Sequence, residues 1–172
     1  VTTSHGHFDH NHIEVVKGDF KHIFTAGNYS ERGVELLGVD SYHDGEKGSK
    51  RGSNVIFTFD IDGLKVCHLG DLGHILSNEQ AEAVGNVDIL LIPVGGTYTI
   101  DYKQAVQVTK QLAAKTVIPM HYKTPAINFP IDTVDKYLGA MDARMDSPLA
   151  QEIEITAESL DELGRVLVLK YE

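Results

Sequence analysis

Short apolar runs, broken by turn-forming residues, recur along the chain, and their periods predict which segments are strands and which are helices. Residues 34–39 (VELLGV) predict a strand leading towards His43. Residues 55–61 alternate apolar and polar positions, Asp62-Gly63 follows, and 64–69 (LKVCHL) resumes the apolar pattern. An Asp-Gly pair between two such runs predicts a hairpin with a tight turn. The runs at 87–93 and 116–119 predict buried strands, and 165–170 predicts a last one.

Helical spacing appears between these runs. Residues 78–84 predict a short helix, with Ser77 as N-cap and Gln80 at capping-box distance. Residues 101–114 place Ala105, Val108, Leu112 and Ala113 on one face, with Asp101 at the start. Residues 130–141 begin with proline and group Val134, Tyr137, Leu138 and Met141. The stretch 44–54, with Gly45, Gly48 and Gly52, is the most loop-like. Strands first, then strands alternating with helices, imply an α/β arrangement of mixed sheets covered by helices.

Composition narrows the picture. With 172 residues, no repeat and no linker, the whole of 1–172 reads as one domain. No apolar run approaches the roughly 20 residues needed to span a bilayer, so no membrane partner is expected. A net charge of -10 argues against a nucleic-acid surface. The single cysteine, Cys67, excludes an internal disulfide and a cysteine-based zinc cluster, and fits a cytoplasmic location. The chain opens on neither Met nor a signal-peptide pattern, and Val1-Thr2-Thr3-Ser4 reads as the end of a strand.

The nine histidines are the compositional oddity, and three fall within the first ten positions. His5-Gly6-His7-Phe8-Asp9-His10 sets four metal-ligating side chains within six residues. On a strand His5 and His7 point the same way, and Asp9 and His10 converge from the turn that follows. Neutral imidazoles and a carboxylate suit zinc and its neighbours. A tag remnant would be a homopolymer, which this is not.

This motif, followed by His68-Leu69-Gly70-Asp71 and then Val117-Ile118-Pro119-Met120-His121, resembles the signature of the metallo-β-lactamase superfamily. The resemblance implies a four-layer αββα sandwich whose N-terminal strands would lie ahead of His5. It also implies a two-metal site: His5, His7 and His43 on one ion, Asp9, His10 and His121 on the other, and Asp71 bridging them. Zinc is the leading metal, with manganese, iron and nickel as alternatives.

The implied chemistry is hydrolysis by metal-activated water, on a lactone, ester or phosphodiester of a small molecule. Asp9 would orient the nucleophile and His74 would serve a proton-transfer or substrate role, with a structural hydrogen bond as its alternative. Tyr98 and Tyr122 are candidate substrate contacts. Residues 92–98 and 119–124 are similar to the branch containing ascorbate-phosphate lactonase. Asp71 in place of cysteine, and His10 beside Asp9, separate the chain from β-lactam-resistance enzymes. Alternatives are a nucleotide or phospholipid-type phosphodiesterase and a non-catalytic metal-binding protein retaining the fold. His68 is expected to face away from the metals, and His12 and His22 to be ordinary histidines. An open sheet edge would invite a homo-oligomer.

Overall fold

Two tight hairpins start the sheet. In the computed structural model, which describes residues 1–143 and 151–170, β1 (Gly27–Glu31) turns through Arg32-Gly33 into β2 (Val34–Tyr42). Then β3 (Ser53–Ile61) turns through Asp62-Gly63 into β4 (Leu64–His68). Both central residues of each turn have positive φ, the geometry whose twist matches that of the paired strands. The second hairpin is where the sequence pattern puts it. The first escapes that reading because β1, Gly-Asn-Tyr-Ser-Glu, is mostly polar and Arg-Gly is a weak turn signal.

After β4 the connections become helical. The short α1 (Asn78–Val84) leads to β5 (Ile89–Pro93), and α2 (Tyr102–Gln111) leads to β6 (Thr116–Met120). The six strands run in the order β1-β2-β3-β4-β5-β6, antiparallel up to β4 and parallel from there. The first two predicted helix starts are capped. The Ser77 hydroxyl accepts from the Gln80 amide while Gln80 Oε1 accepts from the Ser77 N–H. Asp101 and Gln104 exchange the same pair at α2.

Alternation along each strand divides the core. Ile56, Cys67, Leu69, Leu90, Ile92 and Val117 join Val84, Ala105, Val108, Leu112, Tyr137 and Leu138 in one buried cluster between the sheet and its helices. Each fully buried aliphatic side chain there contributes about 1.5–3 kcal/mol. The opposite face carries two smaller clusters, one around Phe57 with Ile23, Leu36 and Val55, and one around Ile89 with Leu64 and Leu160. Ala113 departs from the expected helix face. Its φ of 45° takes it out of the helix to the surface, and Ala114 is buried instead.

Two other segments differ from the sequence pattern. The last helix, α3, spans only Asp135–Ala140. Ahead of it the Asp132 N–H donates to the Gly95 carbonyl at 2.7 Å and the Asp132 carbonyl accepts from Lys123 N–H at 2.8 Å, so long-range partners replace the first helical turns. Residues 165–170 make a single parallel bridge, Val166 to Val117, rather than a strand. Among the described residues no helix is long and apolar enough to cross a membrane.

Candidate metal centre

The direction of the strands brings the histidines together. The C-terminal ends of β2, β4, β5 and β6 and the start of β3 share one edge of the sheet, the edge where open α/β sheets place their ligands. Val1–Ser4 runs along it: Ile23 N–H donates to the Val1 carbonyl at 2.9 Å, and Val55 N–H donates to the Ser4 carbonyl at 2.7 Å. His5 is thereby delivered beside β3, His43 just after β2, Asp71 just after β4 and His121 just after β6.

Asp71 is the hub. Its Oδ2 lies 3.2 Å from His43 Nε2, 3.6 Å from His121 Nε2, 3.7 Å from His10 Nε2 and 3.9 Å from His5 Nε2. His5, His7 and His43 form one group whose ligand atoms lie within 4.8 Å of one another, and His5, His10 and Asp71 form a second. Asp9 stands at the rim, its Oδ2 3.8 Å from His10 Nε2 and its side chain 57% exposed.

Burial makes this arrangement costly without a cation. His43, Asp71 and His5 are only 2%, 5% and 8% exposed. His5 Nδ1 shares a hydrogen bond with Ser4 Oγ at 2.9 Å, while its Nε2 is buried without a partner. A buried imidazole nitrogen left bare, facing a carboxylate and three other imidazoles, fits a metal ligand. Burial, together with the nearby His10, His43 and His7, holds the His5 pKa down to about 4 against the pull of Asp71, keeping the neutral form that ligates. For Asp71, burial raises the pKa, but the contact with His43 and the charges of His121, His10 and His5 overcome it and hold the carboxyl at about 2. His43 is shifted upward, because Asp71 outweighs burial.

The positions of these ligands depend on residues that the sequence motifs do not single out. Asn54 is fully buried: its Oδ1 accepts from Asp71 N–H at 3.0 Å, and its Nδ2 donates to the Leu69 carbonyl at 2.9 Å and to Ser41 Oγ at 2.7 Å. Side-chain atoms at Gly73 and Gly95 would collide with ligand backbone. A Cβ at Gly73 would lie 2.2 Å from the Asp44 nitrogen, and one at Gly95 would lie 2.2 Å from the His121 carbonyl oxygen. His121 itself has a φ of 51°, a left-handed conformation rare outside glycine and found where a site over-determines the backbone. A buried Asn at the start of an apolar strand is the one sequence signal that points to this support.

The loop after His43 is ordered by a single side chain. Asp44 Oδ1 accepts from the N–H groups of Glu46 and Gly48, and Oδ2 from those of Lys50 and Arg51, all at 2.8–2.9 Å. Burial raises the Asp44 pKa, but these four donors hold it at about 2.

The other candidates fall as follows. His74 Nε2 accepts from Tyr42 N–H at 3.2 Å, and its Nδ1 bonds the Ile75 carbonyl at 2.8 Å. Both nitrogens of His74 are thus engaged by backbone. Tyr98 lies beside the cluster, its ring centroid 6.5 Å from that of His121, whereas Tyr122 packs against the helix-side core. His68 accepts from Gly70 N–H through Nδ1 at 3.0 Å and belongs to neither ligand group. His12 pairs with Glu14 at the surface, and His22 bonds Thr3 Oγ1 at 2.8 Å.

Known proteins share this frame. The chain is 40% identical to a candidate Zn-dependent hydrolase of the metallo-β-lactamase superfamily from Thermotoga maritima, with a TM-score of 0.83 over 98% of this chain and 80% of that one. It is 29% identical to a metal-dependent hydrolase of Thermoplasma volcanium, over 72% of this chain and 66% of the relative. It is 32% identical to another from Pyrococcus abyssi, over 70% and 56% respectively. The chain thus spans somewhat more than half the length of these two relatives. The model of the beta-lactamase superfamily domain matches residues 1–121, a stretch that holds every ligand candidate from His5 to His121, and to that family the chain belongs.

Proposed function

We propose that this chain is a dinuclear metal-dependent hydrolase acting on a lactone, ester or phosphodiester bond of a small molecule. The observation that carries the reading is the hub: one Asp71 oxygen within 3.9 Å of four imidazole nitrogens, among them a buried His5 Nε2 with no partner. His5, His7 and His43 would hold one divalent ion, and His10, His121 and Asp9 the other, with Asp71 common to both. Zinc suits the donors best, and manganese, iron and nickel fit the same set. When bound, such ions lower the pKa of a coordinated water towards about 7 and polarise the substrate oxygen.

The protein's own groups do the rest. Asp71 and the buried imidazoles fix the geometry, and Asn54 holds the backbone of Asp71 in place. Asp9, at the open rim, orients the attacking water and accepts its proton. Tyr98 borders the substrate. A cytoplasmic location, a small-molecule substrate with no nucleic-acid or membrane partner, and the capacity for homo-oligomers belong to the same proposal.

Elemental analysis of protein purified without chelators or an affinity tag tests it, followed by screening of lactones, esters and phosphodiesters. About two transition-metal ions per chain and turnover on one bond class are expected. Retained turnover in metal-free protein would sink the mechanism.

A further inference from the structure

One basic side chain near the cluster has no acidic partner among the described residues. Arg51 follows the Asp44 loop, and its position is fixed from two directions. Its own N–H donates to Asp44 Oδ2 at 2.8 Å, and the next residue, Gly52, accepts the His43 N–H at 3.1 Å. The guanidinium then reaches the loop that follows β5. Nη2 donates to the Thr97 carbonyl at 3.1 Å, and the guanidinium carbon lies 5.6 Å from the Tyr98 ring centroid. Tyr98 in turn neighbours His121, at 6.5 Å, and Phe129, at 6.2 Å.

Arg51 therefore bridges the loop after His43 and the loop after β5, whose Tyr98 neighbours His121. In a chain with 25 acidic and 15 basic residues, the guanidinium has no carboxylate within ion-pair distance among the described residues. Guanidinium offers five N–H donors in a planar fork, and the contact with Thr97 engages one nitrogen. The remaining edge matches an oxyanion with two acceptor atoms, and the Tyr98 ring within cation–π range limits the conformations it must give up on binding.

We propose that Arg51, carried on Tyr98, is the specificity residue of this site and binds an oxyanion arm, carboxylate or phosphate monoester, of the substrate. The inference rests on the hydrolase reading of the same site and narrows it to anionic small molecules. Thr97 aims the fork and the Tyr98 ring supports it. Phe129, 56% exposed, adds an apolar surface next to Tyr98.

The test compares metal-loaded wild type, Arg51→Met and Arg51→Lys on 4-nitrophenyl acetate and on the 4-nitrophenyl monoester of succinic acid, which adds a carboxylate arm. Inorganic phosphate is titrated into each protein by calorimetry. In Arg51→Met the ratio of kcat/KM for the anionic over the neutral ester should fall about tenfold or more, through KM, the scale of a charge-assisted pair. The phosphate Kd should rise by a similar factor. Arg51→Lys, which keeps the charge and loses the fork, should fall between, and it decides the matter if the Met variant does not fold. A change in the ester ratio alone assigns the arm as carboxylate, and a change in phosphate binding alone assigns it as phosphate. If neither changes, the proposal is overturned and Arg51 is a staple to Thr97. Should wild type turn over neither ester, the hydrolase reading fails for esters, and the phosphate titration still decides for or against Arg51.

Discussion

Six of the seven candidate ligands fall into two halves built in different ways. His5, His43 and Asp71 are buried and fixed from behind, by Ser4, by Gly73 against the chain at Asp44, and by Asn54. His7, Asp9 and His10 come from one six-residue stretch, with His7 and Asp9 exposed and Phe8 beside them 89% exposed. Within the open stretch, one backbone bond, His10 N–H to the His7 carbonyl at 3.0 Å, closes the turn. The buried half is positioned by the sheet and the open half by a local turn. Preorganisation, and with it affinity for a cation, should therefore be unequal between them.

That contrast can be broken first at the hub. Asp71→Ala removes the oxygen that faces imidazoles of both halves, and should abolish metal retention and lower kcat/KM far beyond the roughly 10–100-fold typical of outer partners. Elemental analysis and single-substrate kinetics read both. Next, His43→Ala should lose more metal than Asp9→Ala when both are dialysed against the same weak chelator. Equal losses would erase the distinction between the halves. Asn54→Ala leaves Asp71 N–H and the Leu69 carbonyl unsatisfied in a buried place. It should weaken metal affinity about 10–100-fold and lower unfolding free energy by about 1–3 kcal/mol, measured by metal titration and urea denaturation.

A control sits in the helix-side core, away from both halves. Burial pushes the Tyr137 phenol up to about 12, and its hydroxyl bonds Thr109 Oγ1 at 2.8 Å. The fold excludes the ionised form, so this stability is intact below the ordinary phenol value of about 10 and is lost as pH rises from there through about 12. Tyr137→Phe should cost about 1 kcal/mol, remove that alkaline loss and leave metal content untouched. A loss of metal would mean that core and site are coupled.

Much of this was legible in the sequence, for reasons that differ by residue. Period-two and helical spacing place β2 to β6 and α2, because burial on one face dictates both patterns. The ordering His5 to His121 names residues that converge, because metal-ligating side chains are chemically conspicuous. Residues acting through shape or backbone leave no such mark. Gly73 reads as an ordinary turn glycine until the chain packed against it is seen, and the backbone contacts that engage both nitrogens of His74 leave no trace in its motif. The strand β1 is hidden by its polar composition, and the start of α3 is lost to long-range partners of Asp132 that no local window contains.

The loop wound on Asp44 has an evolutionary consequence. Its four anchoring donors are all main-chain N–H groups, from Glu46, Gly48, Lys50 and Arg51, so the loop keeps its shape whatever side chains Glu46, Lys50 and Arg51 carry. Variation there would alter the substrate contact proposed for Arg51 while the candidate ligands at the sheet edge stay fixed. Residues 46–51 are accordingly the segment in which to build a combinatorial library for altered specificity, with Asp44 and Gly48 held constant.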